Sequence, residues 1–195
     1  MELHYPDAMT IRDARQQYFD QHGLGDGGYD DKWVALKVGP IPIYFPNTPA
    51  RVRAVRLHDI HHALTAYDTS WRGEAQIGAW EVASSCAQHY AAWFLNLAAM
   101  ALGLYINPRQ TFRAFLRGRY SGNLYAGQFH EPLLEETVGT LRQRLRLDRQ
   151  PPRPSMTDVA AFIGWSVVSL ATGGLTLLIV LVPLIVVGLI LTALL

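Results

Sequence analysis

The chain has 195 residues, 50% of them hydrophobic, with 17 Lys or Arg against 16 Asp or Glu and a formal net charge of +1. Near-neutral charge excludes a dedicated nucleic-acid binder, which carries a basic excess, and so much apolar content excludes a disordered chain. A single cysteine, Cys86, excludes an intramolecular disulfide framework and a Cys-rich zinc finger.

A short helix is expected near Thr10–Gln21, followed by a Gly/Asp-rich turn with Gly23, Gly25, Gly27 and Gly28. That loop lacks the Lys-Ser/Thr of a phosphate loop and has no strand before it. Trp33–Val38 and Ile41–Phe45, joined at Gly39–Pro40, read as a short β-hairpin, with Pro42 confining it to an edge. Asn47-Thr48-Pro49 is a helix start, a cap residue with proline at the first helical position; this helix should run to about Ala66. A loop over Tyr67–Gly73 leads into a long helical stretch from Glu74 to about Leu104.

From Val82 to Pro108 no Asp, Glu, Lys or Arg occurs. Recurring polar residues there (Ser84, Gln88, Asn96) favour a buried bundle helix over a second membrane span. After Asn107-Pro108, the residues Arg109, Arg113 and Arg117 fall at i, i+4 and i+8 on one helix face. They form either a solvated surface or a grip on lipid phosphates or another anion. A helix over Pro132–Leu147 completes a mostly α domain.

From Val159 to Leu195 there is no Asp, Glu, Lys, Arg or His. As one helix this tail would be about 55 Å long, against roughly 30 Å of bilayer hydrocarbon. Gly173–Gly174 divides it into Val159–Thr172, short for a span, and Leu175–Leu195, long enough to cross, with a kink at Pro183. A hairpin that dips in and returns is the competing arrangement. Arg142, Arg144, Arg146, Arg149 and Arg153 precede the tail, opposed only by Asp148 and Asp158, so the N-terminal domain should face the cytoplasm. The expected plan is a helical domain over 1–150 with its short β-hairpin, a Pro-rich linker over 151–158, and a membrane tail over 159–195.

Three of the seven histidines crowd into Leu57-His58-Asp59-Ile60-His61-His62. On a helix, His58, Asp59 and His62 share an arc of about 100°, while His61 points to the other side. One divalent ion could touch both imidazoles, with Asp59 binding directly or orienting a ligand. An antiparallel helix after the loop would bring Glu74 back towards the pair. Two imidazoles plus carboxylates without thiolate favour zinc; Fe(II) or Mn(II) stay open. Glu81 lies seven residues beyond Glu74, close to the same helix face, in an otherwise uncharged stretch. A lone carboxylate there must be paired, metal-bound or protonated, which makes Glu81, with Asp59, an acid/base candidate. Cys86 reads as core.

His58-Asp59-x-x-His62 followed by eleven residues and Glu74 resembles the H-D-x-x-H-x(11)-E zinc motif of the Coq-four family of ubiquinone (coenzyme Q) biosynthesis proteins. Arg56 before the motif, Leu64-Thr65 after it and Gly73-Glu74 at its end are also similar. The resemblance covers about Arg51–Tyr125; the segment before it and the hydrophobic tail lie outside. It implies a helical, membrane-associated protein that binds a polyprenylated aromatic precursor. The implied roles are replacement of the carboxyl at the first ring carbon by hydroxyl and organisation of other biosynthetic enzymes.

Three functions follow. The first is a metal-dependent enzyme acting on a membrane-dissolved aromatic lipid, with the ion on His58, Asp59, His62 and Glu74 and an apolar channel along Val82–Leu104. A membrane-bound metal-dependent hydrolase is the second, because HDxxH differs from the HExxH of zinc proteases by one methylene. The third is a non-catalytic lipid-binding scaffold. Expected partners are the membrane, its lipid or the polyprenylated aromatic substrate, and a homo-oligomer or biosynthetic complex, with no nucleic acid.

Overall fold

The computed structural model describes residues 5–38 and 41–193. Caps set the first helices. Thr10 accepts from the Asp13 amide at the start of α1 (Ile11–His22), and Gly23 closes it in the left-handed conformation. Strands β1 (Trp33–Val38) and β2 (Ile41–Pro46) pair antiparallel, Trp33 opposite Pro46 and Val38 opposite Ile41; the expected turn at 39–40 lies outside the described residues. Both strands of this two-stranded sheet are edges, so Pro42 is tolerated. Thr48 caps α2 (Pro49–Thr65), with Pro49 in its first turn. Ile11, Ala14, Tyr18 and Phe19 make one buried stripe on α1, which packs on α2.

The long helix expected from Glu74 to Leu104 is in fact two, α3 (Trp71–Ser84) and α4 (Tyr90–Ile106). Between them Ser85 and Ala87 take positive φ of 79° and 44°. The turn is held from far along the chain: Asn123 Nδ2 donates to Ser84 Oγ (2.8 Å) and to the Ser85 carbonyl (2.9 Å). His89 Nε2 donates to the Gly127 carbonyl at 3.1 Å. α4 therefore folds back along α3, and α5 (Pro108–Arg119) packs on α3 in turn. Trp80, Ile77, Met100 and Phe115 fill the space between these helices.

The helix expected over Pro132–Leu147 is also interrupted. A 3₁₀ turn over Glu131–Glu135 precedes an extended Glu136, and Thr137 then caps α6 (Val138–Arg144). The residues between are held by the N-terminal segment: Ile11 N–H donates to the Glu136 carbonyl and Val138 N–H to the Met9 carbonyl, each at 2.9 Å. Backbone engaged in that bridge cannot also close helical turns.

α7 (Met156–Ala193) is continuous, which corrects both the division at Gly173–Gly174 and the membrane-hairpin alternative. Two glycines cost a helix only about 1 kcal/mol each. Gly173 has a packing use, since a Cβ there would lie 2.8 Å from the Ala101 methyl of α4. The helix also begins before Val159. Ser155 and Asp158 form a reciprocal capping box, Ser155 N–H to Asp158 Oδ2 (2.9 Å) and Asp158 N–H to Ser155 Oγ (3.3 Å). Arg119 and Tyr120, at the end of α5, donate to the same buried carboxylate at 2.8 and 3.0 Å. Trp165 stacks on Trp93 of α4, and Phe162 meets Phe112 and Phe115 edge-on. Met156–Ile179, 24 residues, is long and apolar enough to cross a membrane, whereas α4 is apolar but shorter.

Candidate metal centre

α2 and α3 form an antiparallel pair, and the turn between them decides where Glu74 lies. Ser70 caps α3, its hydroxyl accepting from the Gly73 amide at 3.1 Å. A Cβ at Gly73 would run into the Asp68 carbonyl, so the turn closes this tightly only with glycine. At the C-terminal end of α2, beside this turn, Arg117 Nη1 donates to the Thr65 carbonyl (3.0 Å) and Arg142 Nε to the Leu64 carbonyl (3.1 Å). Two guanidiniums thus satisfy the open carbonyls where the helix dipole is negative.

Between the two helices, His58, His62 and Glu74 bring one ligand atom each within 4.8 Å of one another. His58 Nε2 is 3.1 Å from His62 Nε2, and the Glu74 carboxylate lies 3.5 Å from the first and 3.4 Å from the second. The outward nitrogens assign the protons. His62 Nδ1 is 2.8 Å from the Tyr67 carbonyl, which can only accept, so His62 carries its hydrogen on Nδ1. His58 Nδ1 donates to Glu81 Oε1 at 2.9 Å. In the neutral imidazoles both Nε2 lone pairs are then bare and face a carboxylate oxygen. In that state three acceptors converge, an arrangement that could hold a metal ion or a proton on His58. Tyr18 stacks on the His62 ring at 5.1 Å between centroids.

Glu81 stands behind His58 rather than beside the convergent atoms. Its Oε1 accepts from His58 Nδ1 and, at 2.6 Å, from His61 Nδ1; its Oε2 accepts from Tyr125 Oη at 3.1 Å and from Asn96 Nδ2. Burial works to raise its carboxyl, but His58 and His61 outweigh it and hold it well below the usual range. Glu74 shows the same balance: burial raises, His62 and His58 lower, and the pair prevails. Burial works against protonation of His58, yet Glu81 and Glu74 hold its imidazole well above its ordinary value. The centre is thus built to keep positive charge.

Of the four expected ligands, the structure brings together three. Asp59 is separate: its Oδ2 accepts from Tyr29 Oη at 2.6 Å, and burial lifts its carboxyl above the ordinary range despite that bond. Tyr29 comes from the Gly/Asp-rich turn, a partner that helix periodicity cannot reveal. His61 points away as expected, with Nε2 accepting from the Leu124 amide at 2.9 Å. The arginine face is also divided. Arg109 and Arg113 are exposed, but Arg117 turns inward to α2, so the three do not act as one grip. Cys86 is buried, its thiol pushed up by burial. Residues that periodicity missed are Tyr18, Tyr29, Asn96 and Tyr125. Only Asn96, a polar residue in an apolar stretch, carried a sequence signal.

The three donors open on a cavity of about 750 Å³, within the range of small-molecule sites. Its walls are mostly apolar: Val34, Ile43 and Phe45 from the hairpin, Leu95, Ala99 and Leu102 from α4, and Ile179 from α7. Asp59 and Arg51 add polar groups to the lining. No protein-family model, no curated protein and no solved structure matches the chain.

Proposed function

We propose that this chain is a membrane-anchored, metal-dependent enzyme acting on an amphiphile. The head of the amphiphile sits at His58, His62 and Glu74 and its apolar chain occupies the adjoining cavity. The amphiphile is a polyprenylated aromatic precursor, as handled by the ubiquinone-biosynthesis proteins that the H-D-x-x-H-x(11)-E segment resembles. The observation that carries this reading is the convergence of two bare imidazole nitrogens and a carboxylate at the edge of an apolar cavity.

Zinc suits that donor set, two imidazoles and a carboxylate without thiolate. When bound, the ion would supply Lewis-acid stabilisation of the negative charge left on the aromatic head as the ring carboxylate departs as carbon dioxide. Putting hydroxyl in its place is a two-electron oxidation that zinc cannot supply, so dioxygen would be the co-reactant that provides the oxygen atom and takes the electrons. The chain's own residues do the rest. Glu81 and the Tyr67 carbonyl fix the orientation and tautomer of the two imidazoles. Asp59, with its raised carboxyl, can hold a proton beside the centre against Tyr29. The apolar walls keep water from the head group.

Three protein donors rather than four among the described residues support a centre with a free position for substrate over a closed structural one. Asp59 engaged with Tyr29 supports this reading over a hydrolase in which that carboxylate activates water. The exposed Arg146, Arg149 and Arg153 ahead of α7 support a domain held on the cytoplasmic face beside anionic lipid.

Gentle purification followed by mass spectrometry of both metal and co-purified lipid tests the proposal. One ion per chain with a prenylated benzoate or quinone is the expected result. Metal with phospholipid alone would favour a scaffold, and absence of stoichiometric metal under metal-replete conditions would overturn the reading.

A further inference from the structure

The tail does more than its composition suggests. Thr176 and Ile179 of α7 line the same cavity as His58, His62 and Glu74. They stand three residues apart on one helix face. Ile179 is itself more than half exposed, as are Leu175, Leu177 and Leu178, but of these only Ile179 lines the cavity. Two adjacent turns of one helix therefore carry both a cavity wall and an outward apolar surface.

This wall is held in place. The Asp158 cluster fixes the start of α7 to the end of α5. Trp165 stacks on Trp93 with the rings 14° from parallel, and Gly173 lets the helix close on Ala101. The Thr176 hydroxyl donates to the Thr172 carbonyl at 2.8 Å, so it leaves no unmet donor in the cavity. Across from it, α4 offers the apolar side chains of Ala98, Ala99 and Leu102. The lining is apolar on both sides, and the helix supplying one of them is long and apolar enough to lie in a bilayer.

We infer that α7 is a wall of the ligand site as well as an anchor: the apolar chain of a membrane amphiphile lies between α4 and α7, entering sideways from the bilayer, and Thr176 and Ile179 limit how much of it fits. This rests on the proposed metal-headed amphiphile site and adds the source of its tail selectivity. The segment concerned lies outside the stretch that resembles the ubiquinone-biosynthesis proteins.

The test uses the full chain, loaded with zinc, in phosphatidylcholine nanodiscs, with empty discs subtracted. Two probes are compared: 4-hydroxybenzoate, which is a head alone, and its 3-decyl derivative. The wild type should bind the decyl probe about tenfold or more tightly than the head alone. Thr176→Trp and Ile179→Trp should each remove that preference while metal content and head affinity stay unchanged. Leu177→Trp, on the exposed side, should retain it. Survival of the preference in both cavity variants, or its loss in Leu177→Trp as well, would overturn the inference while leaving the metal-headed site intact. A loaded wild type that binds neither probe would instead overturn the underlying reading, and the inference with it.

Discussion

His61 and His62 are neighbours on α2 and both fully buried, yet they belong to different kinds of site. His61 has both nitrogens matched, one to Glu81 and one to the Leu124 amide, and its ring meets Trp80 and Tyr125 edge-on. His62 has one nitrogen matched to Tyr67 and the other turned on the His58 Nε2 and the Glu74 carboxylate. Burial alone does not mark a ligand site. What separates the two faces is whether the buried lone pairs are already satisfied. The back face is a closed network that holds the helices together; the front face leaves three ligand atoms that could hold a cation.

The largest effect that would break this comparison is on metal. His58→Ala and Glu74→Ala should each weaken zinc binding by about a thousandfold or more, about 4 kcal/mol, read as loss of stoichiometric metal from purified protein. His61→Ala should keep its metal. Full metal content in both front-face variants would erase the distinction.

Glu81 joins the two faces, so its removal should register on both. Glu81→Ala leaves two imidazoles, an amide and a phenol unmatched in the interior, and unfolding in urea should show a loss of about 3–5 kcal/mol. Zinc affinity should fall by about 10–100-fold, the usual cost of losing a carboxylate behind a ligating histidine. Gly73→Ala should cost about 1–3 kcal/mol through its collision with the Asp68 carbonyl. It should also weaken zinc binding, since that turn delivers Glu74; an unchanged affinity would show that the turn is not what places it.

Protonation sharpens the comparison further. The His58 value is raised on folding, so in the zinc-free chain its stabilisation is fully present below about pH 6.5 and is lost as pH rises through the raised value. Zinc needs the same nitrogen bare. Loading should therefore release about one proton per ion near neutral pH, measured by titration calorimetry in buffers of different ionisation enthalpy. The smallest effect belongs to the exposed arginines: Arg109→Ala and Arg113→Ala should shift stability by no more than about 0.5 kcal/mol. Arg117→Ala, which strips a donor from the end of α2, should cost more.

Local chemistry made much of this legible in the sequence. Thr10, Thr48 and Pro49 mark the helix starts because caps act within one turn, and the spacing of His58, His62 and Glu74 needs only a helix and a reversal. What stayed hidden depends on partners distant along the chain. The break between α3 and α4 is held by Asn123 and Gly127, so the apolar periodicity through Ser84–Ser85 gave no sign of it. Asp59 left the expected ligand set because Tyr29 reaches it from a loop. Arg117 left its face because the end of α2 offered carbonyls. In the tail, Gly173–Gly174 looked like a division, but the glycine is used for close packing on Ala101.

X-ray absorption on the zinc-loaded full chain tests the central claim most directly. The account predicts a first coordination shell of two imidazole nitrogens and carboxylate oxygen, completed by a ligand that does not come from the protein. A shell without imidazole, or one containing sulfur from Cys86, would contradict it.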